Sequence, residues 1–328
     1  MRVELAPEIF ADTDEHTGPY ALSDLHRLYD LLRCFAEERH EWVVADVAVV
    51  AAVRDFVPRH LPQLADTYVA LAEDAAVAVN AWTGTTQATT DPIAVSRADL
   101  ADYAEDLCQR AVIVVENQES DGYFLETVAY VLNHQRILTA LRNRWVEIGH
   151  GGGSDLVKAA LAAGNRFRRV IRVVAVLDSD RLIPRQRTGS HDKATTLQEL
   201  DIGVHVLVRR EAENYVPDRV LAGIGQLAEA SARLDRLKHL TPEQRGHYDM
   251  KHGFSRLHRS AEVTGAHQQL FPDLDHRTRS ALHDGFGSDL LSRMYTYREA
   301  LTEHDFARLG DGVVAELREL LATIAGKI

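Results

Sequence analysis

The chain has few cysteines, and it lacks a hydrophobic run that could cross a membrane. Cys34 and Cys108 are its two cysteines in 328 residues, and they provide neither a zinc-ligand spacing nor a disulfide framework. No apolar stretch approaches the roughly 20 residues that a membrane helix needs. The amino terminus has early acidic residues and no apolar core of the kind found in secretion signals. We therefore expect a reduced, cytoplasmic protein without a membrane segment.

Several functional classes lose support because their signatures are missing. Neither Gly-x-Ser-x-Gly nor Gly-x-x-x-x-Gly-Lys-Ser/Thr occurs, which argues against a serine hydrolase and against a P-loop ATPase. The 16 histidines show no zincin or zinc-finger spacing, and we interpret them as structural or solvated. The net charge of −12 argues against a passive nucleic-acid coat. It is compatible with a nuclease, in which a metal site concentrates acids while basic patches hold phosphates.

Hydrophobic periodicity predicts three regions. Residues 1–105 have apolar residues at spacings of three and four, which is typical of helices that pack on a core or dock a partner. In residues 106–217 strands alternate with helices, as in a parallel, right-handed sheet. Residues 218–328 again have a helical pattern. The predicted fold class is α/β, with a four-stranded parallel sheet flanked by helices and with helical N- and C-terminal regions. The predicted strands are 111–116, 145–148, 170–177 and 203–208.

The most informative stretch is Val173–Asp180, in which five apolar residues precede two carboxylates. Such a run predicts a strand buried on both faces, and ligands of parallel sheets gather beyond the carboxyl ends of the strands. Asp178 and Asp180 lie there, and carboxylates so close repel each other unless a cation or a proton intervenes. This favours Mg²⁺ or Mn²⁺, which prefer hard oxygen ligands. The alternative is a solvated loop in which Asp178 caps the next helix.

Acidic residues also follow the first and the fourth predicted strands. Since the carboxyl ends of parallel strands share one edge of the sheet, we expect these acids to lie near Asp178. The candidates are Glu116, Glu119 and Asp121 after the first strand, and Glu211 and Glu213 after the fourth. If the fourth strand stays extended, alternation points Glu211 and Glu213 the same way. Salt bridges with neighbouring arginines are the alternative for these two glutamates.

A glycine-rich turn follows the second predicted strand. It allows close backbone approach, so its amides or the start of the next helix could bind a phosphate group. A plain tight turn explains the same residues. The candidate phosphate-binding residues are Gly151, Gly152, Gly153 and Ser154.

In this order the residues resemble the Toprim domain, the fold shared by topoisomerases, bacterial primases and OLD-family nucleases. The resemblance rests on Val-Val-Glu116 followed by Asp121, on Gly-Gly-Gly-Ser, and on Leu-Asp178-Ser-Asp180. It covers about residues 108–217. The segment Arg-Arg-Glu211-Ala-Glu213-Asn-Tyr is similar to a segment of OLD-type nucleases. Two departures exist: Asn117 replaces the usual glycine, and Asp121 lies one residue further along, so that Glu119 is an alternative to it.

The resemblance implies a catalytic site with two Mg²⁺ or Mn²⁺ ions. Asp178 and Asp180 would hold one ion, and Glu116 would share it or act as a general acid or base. In OLD-type nucleases, acids in the similar segment help hold a second ion, so the resemblance makes Glu211 and Glu213 candidate ligands of that ion. Asp121 is a further candidate ligand. A weaker similarity around Tyr-Asp-Met-Lys251-His-Gly makes Lys251 a candidate for stabilising charge on a scissile phosphate. A solvated lysine is the alternative.

The resulting hypothesis is a metal-dependent Toprim-type endonuclease acting on DNA, or else RNA. Because the chain has no ATPase motif, we expect a separate ATPase partner, as in bacterial antiviral defence systems that pair the two. Basic clusters in 166–172, 181–187 and 233–238 would neutralise a nucleic-acid backbone. One alternative is a haloacid dehalogenase-type phosphatase or phosphotransferase, although that motif should open the first strand. Another is a non-catalytic interaction subunit on a Toprim scaffold. Homo-oligomer formation stays open.

Overall fold

Two parallel sheets, one in each of two structural units, organise the chain. The structure is a computed structural model, and it describes residues 1–14, 18–81, 91–152, 155–223, 227–256 and 261–328. The first unit comprises residues 1–111, 165–172 and 326–328, and the second comprises residues 112–164 and 173–325. Within the described ranges, no helix combines the length and the apolar character needed to cross a bilayer.

The first unit is built on a three-stranded parallel sheet. Its strands and those of a small hairpin are β1 (Arg2–Leu5), β2 (Thr13–Asp14), β3 (Gly18–Pro19), β4 (Glu41–Val43) and β5 (Ile93–Val95). The sheet has the order β4-β1-β5, and β2 pairs with β3. The helices expected in this region are present, whereas its short strands were not predicted. Each strand of the sheet has only three or four residues, which is too short for alternation to stand out among helical patterns. The helices are α1 (Leu22–Ala36), α2 (Val47–His60), α3 (Ala65–Ala81) and α4 (Leu100–Cys108).

A hydrophobic core joins β1 to the helices of this unit. Val3 and Leu5 of β1 are fully buried, as are Leu28 and Leu31 of α1. The spacing of three on α1 directs both leucines to one face. Aromatic rings extend the core, and Phe35 stacks on Trp42 with 5.3 Å between ring centroids.

The fold brings Cys34 and Cys108 together, although their sequence spacing indicated no pairing. Their Sγ atoms lie 3.3 Å apart, and the hydrogen bond with Cys108 lowers the pKa of Cys34 to about 7 against the effect of burial. We expect the oxidant diamide to take two electrons and two protons from the thiols and leave an intramolecular disulfide. This bond should stabilise the fold by about 2–4 kcal/mol because it restricts the unfolded chain.

The measurement is a thiol titration in denaturant combined with a non-reducing gel. Both thiols should disappear while the chain stays monomeric, and Cys34→Ser should retain its single thiol. Thiols that survive diamide, or disulfide-linked dimers in place of the internal bond, would show that the two sulfurs do not meet productively.

The second unit contains the predicted four-stranded parallel sheet. Its strands are β6 (Ala111–Val115), β7 (Val146–His150), β8 (Val173–Leu177) and β9 (Gly203–Val206), in the order β7-β6-β8-β9. All five residues of β6 and all five of β8 are buried, as their apolar sequences predict for central strands. The helices between the strands are α5 (Gln118–Val131), α6 (Gln135–Arg142), α7 (Leu156–Gly164) and α8 (Gly189–Gln198).

The helices after β9 belong to the same unit as this sheet, and they fix the chain where β9 ends. The strand stops at Val206, two residues before the predicted end. Glu316 explains this, because its Oε1 accepts the Val208 amide at 2.7 Å and also the Tyr215 hydroxyl. The helices are α9 (Asp218–Leu221), α10 (Leu227–Leu237), α11 (Pro242–His247), α12 (Ala261–Leu270), α13 (His276–Ala281), α14 (Leu290–Thr296), α15 (Glu303–Ala307) and α16 (Val313–Lys327).

Candidate functional site

The end of β6 places Glu116 and Asp121 on the same pocket. Asn117 caps α5, since its Oδ1 accepts the amides of Glu119 at 3.1 Å and Ser120 at 3.2 Å. Asn117, which stands where the Toprim-like motif usually has glycine, therefore acts as a helix cap. Asp121 Oδ2 accepts the Asn117 amide at 2.8 Å, and Asp121 lines the pocket together with Glu116. Glu119 instead accepts a hydrogen bond from the Tyr123 hydroxyl at 3.2 Å.

The end of β8 is locked to the segment that follows β9. Asp178 Oδ1 accepts the Ala212 amide at 3.0 Å, and Ser179 Oγ donates to the Arg209 carbonyl at 2.7 Å. Asp180 has a φ of +54°, a backbone region that aspartate tolerates better than most residues. The alternative in which Asp178 caps the next helix is wrong, because Thr188 holds the N-cap position of α8.

Glu211 and Glu213 both contact Lys251. They do so from a helical turn and not, as expected, from alternating positions of an extended strand. Glu211 is the N-cap of a 3₁₀ turn, Ala212–Tyr215, that contains Glu213, so the expected extended segment is wrong. Lys251 Nζ lies 3.3 Å from Glu211 Oε2 and 3.0 Å from Glu213 Oε1. Arg210 Nε lies 3.2 Å from Glu211 Oε1, so the arginine pairing considered for this glutamate is present as well.

Lys251 is held in place by a turn whose backbone packs against a second loop. The buried Asp249 accepts the amides of Lys251 at 3.1 Å and His252 at 2.8 Å. Gly253 and Gly285 pack so closely that a Cβ on Gly285 would lie 2.7 Å from the Gly253 nitrogen. The side chain of Lys251 is thus directed at the carboxylates by backbone contacts as well as by charge.

Two pockets share the residues Glu116 and Asp178 in their linings. The larger has a volume of about 310 Å³ and the smaller of about 100 Å³. The larger pocket is lined further by Asn117, Ser120, Asp121, His150, Gly152 and Lys251. The smaller is lined further by Leu156, Leu177, Asp180, Ser190 and Lys193. Each pocket therefore combines acids with one lysine.

Desolvation and mutual repulsion raise the pKa values of these carboxylates. Burial, followed by the charges of three neighbouring carboxylates, holds the pKa of Asp178 well above its usual range. Burial is also the largest cause that raises the pKa of Asp121 and of Glu213. Glu116 and Asp180 are more exposed, and partial desolvation followed by a neighbouring carboxylate raises the pKa of each. Ionising all these groups together is therefore unfavourable without a further cation.

Lys251 supplies part of the missing positive charge. Burial alone would lower its pKa, but Glu211 and Glu213 outweigh that effect and raise the pKa above its usual range. The lysine is therefore a fixed ammonium ion at neutral pH. It cannot balance the six acids of the site alone, so the charge deficit persists.

The glycine turn does not present the amides that were predicted to bind phosphate. The Gly151 amide donates to the Val115 carbonyl at 2.7 Å, and the Gly152 amide donates to the Glu116 carbonyl at 3.2 Å. These bonds tie the turn to the end of β6. Gly153 and Ser154 lie outside the described residues. The phosphate-binding role of Gly151 and Gly152 is accordingly wrong for their backbone amides, although Gly152 lines the larger pocket.

Sequence reasoning missed several residues that the fold places at the site. Ser120 and His150 line the larger pocket, and Ser190 lines the smaller one. Lys193 was missed as well; it lies on α8 and lines the smaller pocket together with Glu116 and Asp180. The cap residue Thr188 before Gly189 was the available signal, because it marks a helix start just after the acidic pair.

The predicted metal ligands surround one region but do not form a finished coordination shell. Within the described ranges, no three carboxylate, imidazole or thiol groups converge on one point closely enough to hold a metal ion. Their chemistry nevertheless suits a hard divalent cation, because all six donors are carboxylates and they lie too close together to be ionised without a balancing positive charge. The donors on β6 and β8 fit this cation better than Glu211 and Glu213, which are engaged by Lys251.

Comparison with known protein families, with curated proteins and with solved structures finds no match for this chain. The function must therefore be argued from the chemistry of the site itself.

Proposed function

We propose that the chain is a metal-dependent nuclease of Toprim type that hydrolyses phosphodiester bonds, in DNA first of all. The observation that carries this proposal is the grouping of acids and one lysine at the carboxyl edge of the second sheet. Glu116, Asp178 and Lys251 all line the larger pocket. A pocket with crowded carboxylates needs cations, and a fixed ammonium beside them suits a phosphate substrate.

Glu116, Asp178 and Asp180 are the residues that would hold the first Mg²⁺ or Mn²⁺ ion, with Asp121 beside them. Glu211 and Glu213 are the candidates for a second ion. When bound, such ions supply a nucleophile at neutral pH and stabilise charge on the phosphate oxygens.

The chain's own groups have separate roles in this proposal. Lys251 holds a positive charge 3.0 Å from Glu213, where it can orient a phosphate that enters the larger pocket. Glu116 is exposed, and its raised pKa suits a group that moves a proton to or from the reacting oxygens. Asp178 stays fixed through its bond to the Ala212 amide and positions the others.

Incubation of supercoiled plasmid with the protein and Mg²⁺ or Mn²⁺ tests the proposal. We expect the wild type to nick or linearise the plasmid, and Glu116→Gln and Asp178→Asn each to lower the rate by about 100-fold or more, since each removes a charge that the reaction needs. Glu319→Gln is the matched control, because Glu319 lies exposed on α16 and lines neither of the two pockets.

Three outcomes separate the hypotheses. Cleavage that survives both site variants as fully as the control would reject the assignment of these acids. Hydrolysis of a phosphate monoester without plasmid cleavage would favour the phosphatase alternative. An inert wild type, with partner ATPases present, would favour an interaction subunit.

The proposal includes a partner and a setting. The sequence has no P-loop motif, so ATP-driven control would have to come from a separate ATPase, as in defence systems in which a nuclease is paired with one. Co-expression with a candidate ATPase should then change the cleavage rate of the wild type and not that of Asp178→Asn.

A further inference from the structure

One wall of the smaller pocket is formed by groups other than the acids, at the start of α8. Ser190 on the first turn of α8 is only 5% exposed, and its side chain lines this pocket. In the part of the chain that the structure describes, we find no hydrogen bond of its hydroxyl. Because Ser190 lines the pocket, a ligand there can supply the hydrogen-bond partner that its hydroxyl lacks among the described residues.

The start of α8 is fixed against the acidic turn by its cap. Thr188 Oγ1 donates to the Ser179 carbonyl at 2.5 Å, and the Thr188 amide donates to His191 Nδ1 at 3.1 Å. The first amides of a helix have no partner within the helix, and they carry partial positive charge. A Cβ on Gly189 would meet nothing within 4 Å, so the approach to this turn is open.

Lys193 adds a full positive charge to the same wall, because it lines the pocket one turn after Ser190. The wall therefore consists of a hydroxyl, an ammonium group and the positive end of a ten-residue helix. All three favour an anion. The volume of about 100 Å³ is well below the roughly 300 Å³ at which pockets for whole small molecules begin. One small anionic group fits this description.

We infer that the smaller pocket binds one phosphate group of the nucleic-acid substrate, through Ser190 Oγ, the Lys193 ammonium and the amides of Gly189 and Ser190 at the start of α8. The inference rests on the proposed function, because it names the part of the substrate that this pocket takes. Lys251 and Lys193 then contact the nucleic-acid backbone from the two pockets that share Glu116 and Asp178. The strand would run across the carboxyl edge of the sheet from one pocket to the other.

The first measurement uses inorganic phosphate and does not depend on cleavage. In Mg²⁺, phosphate should raise the melting temperature of the wild type and of Lys158→Gln, but not of Ser190→Ala or Lys193→Gln. Lys158 is the matched control, since it is 83% exposed and pairs with Asp155 at 2.9 Å. Melting temperatures without phosphate show whether each variant is folded. Equal stabilisation of all four proteins, or of none, would overturn the subsite.

The second measurement is the affinity for a labelled 20-base-pair DNA duplex in Ca²⁺ at several salt concentrations. Lys193→Gln should weaken binding roughly tenfold and reduce the slope of log K against log salt by about 0.9, because one phosphate contact is lost. Ser190→Ala should weaken binding roughly tenfold through a lost hydrogen bond to a charged group, with the slope unchanged. Plasmid cleavage that is unaffected by either variant would reject the subsite alone. Phosphate binding as described, without any cleavage by the wild type, would reject the proposed function alone.

Discussion

Asp178→Asn is expected to raise the melting temperature of the metal-free protein and to abolish its stabilisation by Mg²⁺ or Mn²⁺. The wild-type carboxylate is desolvated and faces three other acids, which hold its pKa well above the usual range. The amide removes that repulsion, and its oxygen can still accept the Ala212 amide that bonds to Asp178 at 3.0 Å. A one-unit rise in pKa is worth about 1.4 kcal/mol, or roughly 2 °C for a chain of 328 residues, so the metal-free variant should melt measurably above the metal-free wild type.

Metal binding should favour the wild type instead, because the ion stabilises the wild type and has little effect on Asp178→Asn. An ion at 100 times its dissociation constant stabilises a protein by about 2.7 kcal/mol, which is roughly 4 °C for a chain of 328 residues. The wild type and Glu319→Gln should show this shift, and Asp178→Asn should show little of it. Differential scanning fluorimetry with EDTA, Mg²⁺ or Mn²⁺ measures all three proteins without any assay of cleavage.

The pH dependence of the metal-free proteins checks the cause. Because the folded-state pKa of Asp178 is raised, its ionisation costs stability as the pH rises from the ordinary value of 3.8 through the raised value. The advantage of Asp178→Asn should therefore grow as the pH rises and shrink on acidification, as the wild-type carboxyl takes up its proton. An advantage that is constant with pH would mean that the substitution acts through packing and not through charge.

The acids that directly follow buried strands were the predictable part of this site. The strands Ala111–Val115 and Val173–Leu177 form the centre of the sheet, as apolar runs of this kind should. The position of a residue one or two places after such a strand is then set by the sheet, with no further information needed. Glu116 and Asp178 line both pockets for this reason.

The remaining residues depend on contacts between distant parts of the chain, which periodicity does not encode. Glu211 and Glu213 meet Lys251 through a 3₁₀ turn, and a bond from Val208 to Glu316 ends the strand before them. Ser190 reaches the smaller pocket because the cap residue before it returns to the acidic turn. The three short strands of the first unit were missed for a different reason, since three or four residues are too few for a pattern to be recognised.

The largest expected effect on the fold comes from Gly253→Ala, which lies two residues after Lys251. Gly253 has a φ of +60°, and a Cβ there would overlap the Leu282 carbonyl oxygen and the Gly285 nitrogen. Backbone in this region costs an alanine about 1–2 kcal/mol, and forcing atoms into a packed site costs about 1–3 kcal/mol more. The variant should unfold roughly 3–7 °C below the wild type.

Gly265→Ala provides a control of opposite sign, because Gly265 lies in α12 with nothing within 4 Å of an added Cβ. Alanine is favoured over glycine inside a helix by about 1 kcal/mol, so this variant should be slightly more stable than the wild type. The experiment measures the melting temperature of each variant and then its rate of plasmid cleavage at a temperature well below that melting temperature. If the turn positions Lys251 for the reaction, folded Gly253→Ala should also cleave far more slowly than Gly265→Ala. Equal cleavage by the two would show that the reaction tolerates displacement of this lysine and would remove it from the proposed mechanism.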